Sequence, residues 1–123
     1  MKMLLDSVIL IDHFNNIEKA TRFISENQID LCISVITRAE VLTGFNSRKN
    51  MNLARQLLDK FEQYPLTEIE ANEATLLRQR NGWRLPDAFQ AAIAKLHQLK
   101  LVTRHTKDFK PNKYPFILIP YQL

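Results

Sequence analysis

Four acidic residues fall where chemistry could be done. Asp6 follows the apolar run Met3-Leu4-Leu5, and Glu40 lies about a turn into the helix after Leu31-Cys32-Ile33-Ser34-Val35. Asp87 follows Pro86 at a predicted helix start, and Asp108 lies five residues past Leu101-Val102-Thr103. If the apolar runs are parallel strands, all four acids share one edge of a sheet and converge on one pocket. Two like charges 4 Å apart repel by about 4 kcal/mol at an effective dielectric of 20, so such a cluster needs a cation or a proton. Oxygen donors without a His or Cys partner select Mg²⁺ or Mn²⁺ over Zn²⁺. A hard cation in an acidic pocket polarises a phosphoryl oxygen and acidifies water, which is the chemistry of phosphodiester hydrolysis. Taken singly, Asp6 beside Ser7 and Asp87 after Pro86 read equally well as helix caps; the joint placement carries the argument.

The elements that must position these acids are legible as alternating patterns. Short apolar runs predict strands at Met3–Leu5, Leu31–Val35, Leu101–Thr103 and Phe116–Ile119. Helical spacing predicts helices over Val8–Phe14, with Ser7 as cap, over Ile17–Glu26, and from Thr37 to near Gly44. Another is marked by Ala54, Leu57, Leu58 and Phe61 after a polar break at 46–52, and others run over Glu70–Arg80 and Asp87–Leu99. The last carries Phe89, Ile93 and Leu96 on one side, and Pro65-Leu66 with Ile69 reads as a short extended segment. Helices alternating with nearly continuous apolar strands predict an α/β fold: a short central parallel sheet flanked by helices on both faces.

Composition narrows the class. A chain of 123 residues predicts a single domain over 1–123, and 46% hydrophobic content excludes disorder as the main state. A net charge of +4 and two glycines leave no dinucleotide or P-loop phosphate cradle and mildly favour a polyanionic partner. One cysteine, Cys32, excludes an internal disulfide, and no stretch predicts a membrane span. The expectation is a cytoplasmic protein.

At the level of motifs the chain resembles the PIN-domain family. Leu4-Leu5-Asp6-Ser7 with Leu10-Ile11-Asp12 looks like that family's opening, and Ile33-Ser34-Val35-Ile36-Thr37-Arg38-Ala39-Glu40 like its second motif. Pro86-Asp87 with Ala91-Ala92-Ile93-Ala94 and Leu101-Val102-Thr103 resembles the third motif and the strand after it. Arg104-His105-Thr106-Lys107-Asp108-Phe109 resembles the last. The likeness runs over nearly the whole chain and is nearest to VapC-type toxins of toxin–antitoxin modules. It implies a Mg²⁺- or Mn²⁺-dependent endoribonuclease in which Asp6, Glu40 and Asp87 hold the metal and orient the attacking water. Asp108 is the candidate fourth catalytic and metal-binding acid. The resemblance further implies a homodimer and a small VapB-like antitoxin. His105 departs from it, standing where the family has Asn or Asp. That departure leaves open an alternative, a catalytically weakened module that binds RNA or antitoxin without turnover.

The hydroxyls of Ser7, Thr37 and Thr103 could brace a carboxylate or water at the site, although capping explains Ser7 and Thr37 equally well. Arg84, Arg104, Lys107 and Lys110 are candidates to track an RNA backbone, with Trp83 or Tyr114 for base stacking. Arg38 reads as a possible neutraliser of the acids. Asp12, six residues after Asp6, reads as a solvated or structural acid, and His13 and His97 as structural. A phosphoacceptor receiver domain fits poorly, because Asp6 is followed by Ser7 rather than a second acid.

Overall fold

The strands of this chain are short, and the central ones are buried on both sides, so their residues read as unbroken apolar runs. A computed structural model describes all 123 residues. In chain order the elements are β1 (Met3–Leu5), α1 (Ser7–Phe14), α2 (Glu18–Glu26), a 3₁₀ turn (Gln28–Asp30), β2 (Leu31–Ser34) and α3 (Val35–Thr43). Then come α4 (Arg48–Leu58), β3 (Glu62–Tyr64), α5 (Glu68–Asn81), α6 (Leu85–Leu96), β4 (Lys100–Val102) and β5 (Ile117–Leu118). The sheet has five strands in the order β3-β2-β1-β4-β5, every pair parallel.

Strand alternation splits the core in two. Leu4, Cys32, Leu101 and Ile117 point to one face and pack with Ala74, Leu77 and the alanines of α6. Leu5, Ile33 and Val102 point to the other and pack with Ile9, Leu10, Ile24, Val41 and Leu58. The expected layering, helices on both faces of a parallel sheet, is therefore present. Ala88, Ala91, Ala92 and Ala94 are all fully buried, which lets α6 lie close against the sheet and α5.

Several boundaries differ from the pattern-based expectation. β3 lies at Glu62–Tyr64, not around Pro65-Leu66, and Ile69 belongs to α5. This is an edge strand whose outward residues are polar, so it carries no apolar signal. α4 begins inside the polar stretch, because the Ser47 hydroxyl accepts from the Asn50 N–H at 3.1 Å. The caps of the first and third helices also differ: Asp6, not Ser7, caps α1, and Ser34, not Thr37, caps α3. On α6 the buried side is the alanines, Ile93 and Gln90, while Leu96 is exposed. No helix is long and apolar enough to cross a membrane.

Candidate active site

β1 has β2 on one side and β4 on the other, so the strand order reverses direction there. The carboxyl end of such a strand opens a crevice between neighbouring connections, the usual place for a ligand in a parallel sheet. Asp6 occupies that end. Its backbone N–H donates to Val102 O at 2.9 Å, continuing the ladder, and its side chain turns into α1.

Asp6 is 3% exposed, and its side chain accepts from three donors. The Ser7 N–H donates to Oδ1 at 2.9 Å, the Gln90 Nε2 to Oδ1 at 3.3 Å, and the Thr103 hydroxyl to Oδ2 at 2.8 Å. The pattern suits a carboxylate, which only accepts. With about four acceptor sites on a carboxylate and three in use, about one lone pair is left unused. Thr103 in turn accepts from the His105 N–H at 3.1 Å.

Glu40 and Asp87 feel this charge. Burial pushes the Asp87 carboxyl above the ordinary carboxylate range, and Asp6 pushes it further, with Asp108 adding to the rise. His105 and Arg84 pull it back. Burial likewise raises Glu40, the Ser7 hydroxyl opposes the rise, Asp6 adds to it, and Arg84 and His105 oppose it. The three acids, Asp108, Arg84 and His105 thus form one electrostatic neighbourhood at the strand ends. No three Asp, Glu, His or Cys side chains stand close enough together to hold a cation as they are placed. The donor set nevertheless fits a hard divalent ion in kind: all oxygen, mutually repelling, with an unused lone pair on Asp6.

The supporting residues sort themselves by contact. Thr103 bonds Asp6 directly. Ser7 lies near Glu40. Thr37 is fully buried; its hydroxyl donates to Leu5 O at 3.1 Å and accepts from Gln90 at 2.6 Å. Arg104 does not lie free: its Nε and Nη2 donate to Asp12 at 2.6 and 2.8 Å. Asp12 is buried, structural rather than solvated, and also accepts from the Tyr121 hydroxyl at 2.8 Å. Arg38 pairs with Asp59 at 2.8 Å, away from the acids. Trp83 is 4% exposed, with its ring against Phe109 and Tyr114, so it is core and not a stacking platform. His13 pairs with Thr21 and His97 with Glu70.

Arg84, Lys107 and Lys110 have no ion-pair partner. Lys107, Asp108, Lys110 and Lys113 line a polar hollow of about 170 Å³ with Asn81 and Tyr114. Gln90 is the site residue that motif reading missed. Its sequence signal is a lone amide among the alanines of α6, whereas the spacing of the large apolar residues points Phe89 and Leu96 inward instead.

A family profile described as PIN domain matches residues 3–111. The chain belongs to the PIN-domain family. Among PIN domains it is similar at 34% identity to a chain of a toxin–antitoxin complex from Klebsiella pneumoniae, over 99% of this chain and 100% of that one, with a TM-score of 0.90. The PIN fold is shared at lower identity with FitAcB from Neisseria gonorrhoeae (22%, covering 98% and 99%, TM-score 0.78). It is also shared with VapBC2 from Rickettsia felis bound to a promoter DNA fragment (18%, covering 96% and 96%, TM-score 0.78). Comparison with curated proteins found no significant match.

Proposed function

We propose that this PIN domain, a single domain over 1–123, is a divalent-cation-dependent endoribonuclease that hydrolyses RNA phosphodiester bonds. The observation that supports this most is the buried Asp6, held by three donors at the strand reversal, with Glu40 and Asp87 both raised by burial and, beyond that, by its charge. Asp6, Glu40 and Asp87 would hold Mg²⁺ or Mn²⁺, with Asp108 as a fourth acid. When bound, the cation supplies positive charge to a phosphoryl oxygen and lowers the proton affinity of water.

The chain's own residues do the rest. Asp6 is the fixed anchor, because its orientation is set by Ser7, Gln90 and Thr103. Asp87 and Glu40 would orient the attacking water, and the burial and crowding that raise their proton affinity are what a bound cation would relieve. In-line attack by water on phosphorus forms the new P–O bond as the P–O3′ bond breaks; the water gives up a proton and the departing 3′ oxygen takes one, leaving a 5′-phosphate and a 3′-hydroxyl. Arg84 and the unpaired lysines around the hollow track the RNA backbone, while Arg104 acts through its bond to Asp12. His105, beside the acids in place of an amide or acid, favours a second reading: a PIN module that binds RNA or antitoxin without turnover.

The partner on this reading is a small VapB-like antitoxin, the chain works as a homodimer, and the setting is the cytoplasm. Asp6→Asn and Asp87→Asn are expected to abolish cleavage of a structured RNA in Mn²⁺ while the circular dichroism spectrum is retained. Cleavage that persists in excess EDTA contradicts the cation dependence, and cleavage that persists in both variants contradicts the assignment of the acids. A wild type that binds RNA without cleaving it in Mn²⁺ selects the binding module.

A further inference from the structure

Gln90 is 1% exposed on α6, three residues after Asp87 and so on the same side of the helix. Its amide makes three bonds across the sheet's edge. The Ser34 hydroxyl donates to Oε1 at 2.7 Å, and Nε2 donates to Thr37 Oγ1 at 2.6 Å and to Asp6 Oδ1 at 3.3 Å. Ser34 and Thr37 open α3, and Glu40 follows Thr37 by three residues on that helix. We propose that Gln90 is a positioning residue of the acid site, its amide tying Asp6 and the base of the Glu40 helix to the Asp87 helix. The inference rests on the nuclease reading.

The direction of every bond is determined. Asp6 as a carboxylate can only accept, so the amide must turn its nitrogen toward it. Thr37 spends its proton on Leu5 O, so it too must accept from that nitrogen. Ser34 accepts from the Thr37 N–H at 3.1 Å and is left to donate to Gln90 Oε1. Reversing the amide would set its oxygen against two acceptors. No buried side-chain polar atom is left without a partner, so the network has no slack.

The residue type matters as much as its place. A Lys or Arg here would also bond Asp6, but its charge would compete with a cation. An amide orients the carboxylate and leaves its full negative charge available. Removing such a supporting bond costs about 10- to 100-fold in metal affinity or activity.

The test is Mn²⁺ binding to the metal-free protein, read from the electron paramagnetic resonance signal of free Mn²⁺, together with RNA cleavage kinetics. Gln90→Leu keeps the volume and removes all three bonds; Mn²⁺ affinity is expected to fall about 10- to 100-fold. At saturating Mn²⁺, kcat is expected to fall while the KM for RNA stays within about twofold, because Gln90 is buried away from RNA. Ser34→Ala removes the bond to Oε1 without touching Asp6, and with it the Thr37 N–H cap of α3; Mn²⁺ affinity is expected to fall about three- to tenfold, and the loss of the cap is read separately from urea unfolding. This milder variant decides the matter if Gln90→Leu fails to fold. In the double variant Mn²⁺ affinity is expected to fall by less than the product of the two single losses, because both single variants remove the Ser34–Gln90 bond. Mn²⁺ affinity within twofold of wild type in the folded variants overturns the proposal and leaves the nuclease reading standing. A wild type that binds no Mn²⁺ and cleaves no RNA overturns both.

Discussion

Arg104→Met tests whether the ion pair behind the site is a structural brace. The guanidinium makes two bonds to Asp12, and the Asp12 side chain is 3% exposed against 33% for Arg104. Removing one partner of a fully buried pair costs about 3–5 kcal/mol, because the other charge is left stranded. Here water reaches part of Arg104, and the Tyr121 hydroxyl still donates to Asp12, so about 2–3 kcal/mol is the appropriate size. At about 4 °C per kcal/mol for a chain of this length, the melting temperature falls by roughly 8–12 °C. The assay is urea unfolding by circular dichroism at several pH values. Arg104 holds the Asp12 carboxyl below its ordinary value. A lowered folded pKa contributes stability that is full above the unfolded value near about 4 and is lost as pH falls through the folded one. The gap between wild type and variant is therefore full at neutral pH and narrows in acid. A gap under about 0.5 kcal/mol at neutral pH, or one that does not narrow, refutes the brace.

Three further outcomes are expected. In EDTA, Asp87→Asn melts above wild type at neutral pH by a few degrees, because burial and Asp6 both disfavour the charge it removes. The sign follows from the raised folded pKa, which makes wild-type stability fall as pH rises from the unfolded value toward the folded one; an equal or lower melting temperature counts against the crowding of charge. Replacing Lys107 and Lys110 by Gln weakens RNA binding across sequences, and the salt slope drops by about 0.7 per lysine, measured by fluorescence anisotropy against log salt; an unchanged slope removes the hollow from the RNA path. Thr67→Ala destabilises the fold by about 1 kcal/mol in urea unfolding, because it removes a capping box in which the Thr67 side chain bonds Glu70 and the Ile69 N–H.

The sequence alone determined the sheet's parallel character and its order of motifs. Leu4-Leu5, Cys32-Ile33 and Leu101-Val102 are short apolar runs each closed at once by a polar residue, the pattern of a strand covered on both faces. The acids at the ends of those runs followed from the same pattern, because a polar residue after a buried strand marks where the chain leaves the core. Tertiary structure decided what local pattern cannot encode. β3 is an edge strand without an apolar run, stabilised by pairing with Cys32, Ile33 and Ser34, residues about 30 positions away. Arg104 could have faced RNA or Asp12; only the packing of α1 against the chain after β4 selects Asp12. Gln90 looks like any polar residue on a helix until its amide is found between Ser34, Thr37 and Asp6, residues 56, 53 and 84 positions away. Hydropathy is a property of single residues and short windows, whereas the satisfaction of a buried polar group depends on partners from elsewhere in the chain.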